Sequence, residues 1–147
     1  MTDRDMDNLR NAVDGRPPSD ITICFDMDGV ISENNSGDYE NAPPIKLGID
    51  NVNQAYSLGY RIIIYTARFG QRFPDQQYQK GYELTINWLR KNGVKFHELR
   101  MGKPHYDLIV DDKGWRVDGN NSASWSWFWS LVEDLHKKNK YGQLLKP

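Results

Sequence analysis

The chain has little of three features, each of which would point to a particular class of protein. It contains a single cysteine, Cys24, which cannot form an internal disulfide, so we expect a reducing cytoplasm and a core position for Cys24. No apolar run approaches the length of a membrane span, and the first twenty residues are polar rather than signal-like. The formal net charge of -1 is scattered along the chain, which argues against both a nucleic-acid surface and a membrane surface.

The length of 147 residues predicts one compact domain. We interpret residues 1–20 as an N-terminal extension, either a short accessory helix or a loose tail, because Gly15 and two prolines interrupt its helical spacing. Residues 21–147 then form the single domain. The scattered charge suits small or singly presented substrates.

Three apolar runs, 21–25, 61–65 and 106–110, predict buried strands. Because they are continuous rather than alternating, they are typical of parallel strands covered on both faces. Helices are predicted over 47–58 and 78–91, each followed by a capping glycine, and 94–96 suits a short further strand. The alternation predicts an α/β fold, a parallel sheet flanked by helices in three layers.

Two stretches remain outside this pattern. The polar stretch 31–45 is too long for a tight turn and is predicted to form a loop near the site. The end of the chain predicts a helix, capped by Ser122 or Ser124, with one apolar stripe made of Trp125, Phe128, Trp129, Val132 and Leu135. Trp127 falls off that stripe, so we expect it to be exposed, as at a contact between copies of the chain. His97 and His136 are expected at the surface.

The most informative stretch is Asp26-Met27-Asp28-Gly29, directly after the first apolar run. Strand side chains at i and i+2 point the same way, and Gly29 then lets the backbone turn. Two converging carboxylates are costly unless a cation or a proton transfer uses them. The pair therefore indicates metal-assisted acid/base or nucleophilic chemistry.

Other polar residues follow the later runs. Thr66-Ala67-Arg68 follows the second run, Asp111-Asp112 follows the third, and Gly102-Lys103-Pro104 precedes the third. Ligands of open parallel sheets bind at the carboxyl ends of the strands, so acids, a hydroxyl and cations at one edge suit a phosphate with Mg²⁺. Each piece has a plainer interpretation: Thr66 as a helix cap, the acid pair as a solvated turn, Lys103 as part of a loop and Arg68 as a surface cation. His105 suits either a substrate contact or a bond to the backbone.

The order of these motifs over residues 21–113 resembles the haloacid dehalogenase superfamily of phosphohydrolases, which have a Rossmann-like sheet. Neither gap between motifs has room for a cap domain, so the resemblance is to small capless members. The stretches Gly37-Asp38-Tyr39, Ile64-Tyr65-Thr66-Ala67-Arg68 and Gly102-Lys103-Pro104 are similar to phosphatases associated with capsule and lipopolysaccharide biosynthesis.

The resemblance implies a role for each matching residue. Asp26 would be the nucleophile that forms an aspartyl-phosphate, and Asp28 would carry the proton. Thr66 and Lys103 would complete the catalytic set by contacting the phosphoryl group and offsetting its charge. Mg²⁺ would be held by Asp26, by the backbone carbonyl of Asp28 and by Asp111, with Asp112 in an outer, water-mediated position. Substrate or phosphate contacts would come from Met27, Gly29, Ala67 and Arg68.

The expected function is therefore Mg²⁺-dependent hydrolysis of a phosphomonoester, a phosphorylated sugar or similar small metabolite of surface-polysaccharide synthesis. The alternatives are a polynucleotide phosphatase, which the lack of a basic patch disfavours, a receiver-like phosphoacceptor module and a non-catalytic binding subunit. Receiver modules carry Lys-Pro last, whereas Lys103-Pro104 precedes the final acids here.

Overall fold

The computed structural model describes residues 15–35, 37–69, 75–104 and 106–145. Within them lie strands β1 (Thr22–Asp26), β2 (Arg61–Tyr65) and β3 (Glu98–Arg100) and helices α1 (Lys46–Ser57), α2 (Asp75–Lys91) and α3 (Ser122–Leu135), after a 3₁₀ turn at Pro18–Asp20. The strands run parallel in the order β1-β2-β3. The predicted α/β class with a parallel sheet is confirmed. The predicted helical spacing in residues 1–14 and the predictions for His105 lie outside the described residues.

The two longer strands differ in how they are covered. In β2 the three central isoleucines are all buried, as expected of a central strand. In β1 burial alternates, with Ile23 and Phe25 buried and Thr22 and Cys24 exposed. The prediction that Cys24 fills the core is therefore wrong, because Cys24 points to the face of β1 opposite the buried Ile23 and Phe25, and that face meets solvent there.

The core joins the sheet to all three helices. Phe25 of β1 packs against Trp125 and Phe128 of α3, with ring centroids 6.2 and 5.5 Å away. The predicted α3 stripe is buried at Trp125, Phe128, Trp129 and Val132, while Trp127 is exposed, as predicted. The cap differs: Asn121, not Ser122 or Ser124, accepts hydrogen bonds from the N–H groups of the first turn. No helix in the described part of the chain is long and apolar enough to cross a membrane.

The segment 106–110 does not form the strand predicted for it. Leu108, Ile109 and Val110 are 79, 54 and 90% exposed, and none of them lies in a strand. A run of β-formers becomes a strand only where a neighbouring strand takes its backbone hydrogen bonds. The strand beside β2 is β3, which begins two residues beyond the predicted 94–96. Asp111 consequently follows an exposed loop instead of a strand end.

A buried series of hydrogen bonds lies at the amino end of the sheet. Tyr60, just before β2, is bonded through its hydroxyl to Nε2 of His136 at 2.5 Å, and His136 Nδ1 lies 3.0 Å from the carbonyl oxygen of Arg16. Since a carbonyl only accepts, Nδ1–H donates to Arg16 and Nε2 accepts from the tyrosine hydroxyl. His136, expected at the surface, is buried, and it ties residues 15–20 to the domain.

Candidate functional site

Three segments meet at the carboxyl end of the sheet. Asp26 is the last residue of β1, Thr66 follows β2, and Lys103 lies three residues beyond β3. Backbone bonds continue past the strands: Thr66 N–H donates to the Arg100 carbonyl at 3.0 Å, and Lys103 N–H donates to the Thr66 carbonyl at 3.1 Å. The continued ladder brings Lys103 across β2 toward Asp26.

Asp26 and Lys103 form an ion pair. Lys103 Nζ lies 3.1 Å from Asp26 Oδ2, while Asp26 Oδ1 accepts from the backbone N–H of Met27 at 2.8 Å. Burial alone would lower the pKa of Lys103, but contact with Tyr106 and the charge of Asp26 outweigh it and raise that pKa. The Asp26 side chain remains 35% exposed, so a carboxylate and a cation lie together at an open face of the molecule.

Asp28 is held by Arg68. The Arg68 Nε lies 3.2 Å from both carboxylate oxygens, and Nη2 lies 2.5 Å from Oδ1. The arginine side chain is 1% exposed and the aspartate 27%. The plainer interpretation of Arg68 as a surface cation is therefore wrong, since it is among the most deeply buried side chains.

The turn after Asp28 is tight. Gly29 has φ of 84°, which suits glycine, and its N–H donates to the Ser32 carbonyl at 2.8 Å. Its own carbonyl accepts from the Gly119 N–H at 2.8 Å, which fixes the loop before α3 against this turn. Met27 is fully buried, so only its backbone can contact a ligand.

Thr66 and Ala67 form the turn after β2. Thr66 is fully buried, and its Oγ1 accepts a hydrogen bond from the Arg68 N–H at 3.1 Å. The hydroxyl thus stabilises the backbone turn that directs Arg68 inward. Ala67 is half-buried beside it.

Asp111 and Asp112 lie in an exposed turn. Asp111 Oδ1 accepts from the Lys113 N–H at 2.9 Å, and this hydrogen bond lowers the pKa of Asp111. In the described part of the chain no three His, Cys, Asp or Glu side chains lie close enough together to hold a metal ion. A Mg²⁺ ion at this edge of the sheet would therefore be held by one or two carboxylates, with the Asp28 carbonyl and water completing its oxygen ligands.

Two residues of the site were not predicted to take part in it. Ser32 is fully buried, and its Oγ lies 2.7 Å from Arg68 Nη2. Tyr39 covers the guanidinium, with the ring centroid 4.5 Å from Arg68 Cζ. The polar loop 31–45 thus contacts the site, as predicted. The sequence feature that could have indicated the role of Tyr39 was its position next to Gly37-Asp38 in that loop.

The fold and site define a parallel α/β protein with paired acids and cations at the carboxyl end of its sheet. The chain is similar in structure to an MCSG target from Vibrio cholerae, known from a crystal structure, with a TM-score of 0.56 and 23% sequence identity. The match covers 76% of this chain and 98% of that chain. At this identity the similarity supports the fold alone. No protein-family model matches the chain, and no curated protein does either.

Proposed function

We propose that this protein is a phosphomonoester hydrolase of the haloacid dehalogenase type, with Asp26 as its nucleophile. The observation that carries the proposal is the ion pair between Asp26 and Lys103, 3.1 Å apart, next to a second, partly exposed carboxylate on Asp28. A carboxylate, a cation and a proton carrier at one strand end are what two-step phosphoryl transfer requires.

In the first step an Asp26 oxygen attacks phosphorus in line with the ester bond. The bond from phosphorus to the leaving oxygen breaks, and Asp28, as the carboxylic acid, gives that oxygen its proton. Lys103 offsets the negative charge that phosphate brings to Asp26. The products are the alcohol, the aspartyl-phosphate on Asp26 and the Asp28 carboxylate.

In the second step Asp28 takes a proton from water, and the water oxygen attacks phosphorus. The bond between phosphorus and Asp26 breaks, so inorganic phosphate leaves and both carboxyl groups return to their starting states. The 27% exposure of Asp28 supports this role, because water must reach it.

The dependence on Mg²⁺ and the substrate are the finer parts of the proposal. The resemblance predicts Mg²⁺ and a phosphorylated sugar or similar small metabolite of surface-polysaccharide synthesis. The chain's scattered charge, without a basic patch, supports a small substrate rather than a nucleic acid.

Phosphate release from a broad panel of phosphomonoesters, with Mg²⁺ present, tests the proposal. Asp26→Asn should abolish release while the far-ultraviolet circular dichroism stays unchanged. Asp50→Asn is the matched control, since Asp50 also pairs with a lysine, Lys46 at 2.9 Å, but on an exposed helix face. A folded wild-type protein that releases no phosphate from any ester would refute the proposal.

A further inference from the structure

The deeply buried arginine beside Asp28 has no role in the two steps above. We propose that Arg68 is a positioning residue, which fixes the Asp28 carboxylate for proton transfer and does not itself bind substrate. The inference rests on the proposed function, in which Asp28 carries the proton, and it replaces the expectation that Arg68 contacts phosphate.

The hydrogen bonds leave the two oxygens of Asp28 unequal. Oδ1 accepts from both Nε and Nη2 of Arg68, at 3.2 and 2.5 Å. Oδ2 accepts only from Nε, at 3.2 Å. Oδ1 is therefore anchored, and Oδ2 is the oxygen with lone pairs left to exchange a proton with the leaving group and with water.

The burial of Arg68 separates it from any ligand in solvent. Its side chain is 1% exposed, against 27% for Asp28, so it is the carboxylate and not the guanidinium that offers surface to a ligand. Recognition of a phosphate by arginine uses an open fork of donors. Here Nε and Nη2 are already taken by Asp28 and Ser32, and the remaining nitrogen, Nη1, is buried.

Stability does not explain the arginine. Replacing a buried ion pair by apolar side chains is often neutral or stabilising. Arg68 Nη1 is also buried without a hydrogen-bond partner among the residues that the structure describes, and a buried unpaired donor is destabilising. A residue kept at that cost beside a reactive carboxylate is better explained by its effect on the carboxylate.

The surroundings hold the guanidinium in place. The ring of Tyr39 lies over Arg68 Cζ, and Phe69 contacts Tyr39 edge-on with centroids 4.9 Å apart. Phe69 has φ of 53°, a strained conformation for a bulky residue. Its ring lies against Gly81 of α2, where a Cβ would come within 2.3 Å of Phe69 Cγ. Arg68 is thus flanked by Tyr39 on one side and by Trp88 of α2, whose ring centroid lies 5.9 Å from Cζ.

The test compares two kinds of leaving group. An alkyl phosphate such as glucose 6-phosphate needs a proton on its leaving oxygen, whereas p-nitrophenolate departs without one. General acid catalysis contributes about 100-fold or more, and kcat/KM reports on the first step, in which the leaving group departs. Arg68→Met should therefore lower kcat/KM on the alkyl ester about 100-fold more than on p-nitrophenyl phosphate. KM should not rise on either ester, since the guanidinium does not touch substrate.

Two further variants complete the experiment. Arg61→Met is the matched control, because Arg61 pairs with Glu98 at 2.9 Å on the exposed face of the sheet, and both kcat values should be unchanged. Ser32→Ala keeps the arginine but removes one of the two acceptors of Nη2, the other being Asp28 Oδ1, and should show the same dependence on leaving group with a smaller loss. Should Arg68→Met fail to fold, Ser32→Ala decides the question.

Equal losses of kcat/KM on both esters, or a rise in KM with kcat unchanged, would overturn the inference while leaving the proposed hydrolysis intact. Wild-type protein that hydrolyses neither ester, nor any other of the panel, would overturn both. The two failures are therefore distinguishable.

Discussion

Raising the pH should weaken the fold at Tyr60, which lies at the opposite end of the sheet from the site. The Tyr60 side chain is fully buried, and burial raises its pKa from the usual 10 to about 12. Below pH 10 the phenol is neutral in both the folded and the unfolded chain. Between pH 10 and 12 it ionises only in the unfolded chain, so the unfolded state binds fewer protons and stability falls as pH rises.

The size of the loss follows from the shift. Two pKa units at 1.36 kcal/mol each give about 2.7 kcal/mol of unfolding free energy, lost as the pH rises through this interval. Tyr60→Phe removes the titrating group. It also leaves His136 Nε2 without its donor, which should cost about 1–3 kcal/mol at neutral pH.

Urea unfolding, followed by tryptophan fluorescence from pH 7 to 12, measures this effect. The difference in unfolding free energy between wild type and Tyr60→Phe isolates Tyr60, because the lysines and the other tyrosines titrate in both proteins. As the pH rises from 10 to 12, the wild type should lose about 2.7 kcal/mol more than Tyr60→Phe. Tyr56→Phe, at a partly exposed tyrosine, is the control and should leave the profile unchanged. Parallel curves for wild type and Tyr60→Phe would refute the reasoning.

Three shorter predictions concern other parts of the chain. Gly81→Ala should lower the free energy of unfolding, measured in urea, by about 1 kcal/mol. The added methyl group would overpack against Phe69, which costs about 1–3 kcal/mol, and this exceeds the gain in helix propensity of about 1 kcal/mol. Equal or higher stability would contradict the packing. Val110→Asp should change stability by less than about 0.5 kcal/mol, because Val110 is exposed, and a loss of several kcal/mol would favour the predicted strand instead. Removing Mg²⁺ with EDTA should stop phosphate release and added Mg²⁺ should restore it; full activity in EDTA would refute the metal requirement.

The sequence predicted the fold well wherever periodicity and capping acted locally. Helix α1 was expected over 47–58 and spans Lys46–Ser57, and Gly59 and Gly93 follow their helices with positive φ, as predicted. Strand choice depends on partners far along the chain. Periodicity therefore identified β1 and β2, but it placed the third strand at 106–110 and gave 94–96 only as a further short strand, near the actual Glu98–Arg100.

For the site, the sequence motifs predicted that Asp26, Thr66 and Lys103 would lie at one edge, but not that Asp111 and Asp112 would lie in an exposed turn. Asp26, Lys103 and Thr66 lie at the carboxyl end of the sheet because that end is fixed by topology. The direction of a side chain is not fixed in this way. Arg68 turns into the core to meet Asp28 because of the turn at Thr66 and the enclosing Tyr39, contacts that no local pattern specifies.

The central claim is that Asp26 becomes phosphorylated during turnover. Acid quenching within milliseconds of adding substrate, followed by borohydride reduction, converts an aspartyl-phosphate to homoserine, which peptide mass spectrometry locates. The account predicts homoserine at position 26 in the wild type, and none in Asp26→Asn. Steady phosphate release with no reduced residue at position 26, or with the modification at another residue, would contradict it.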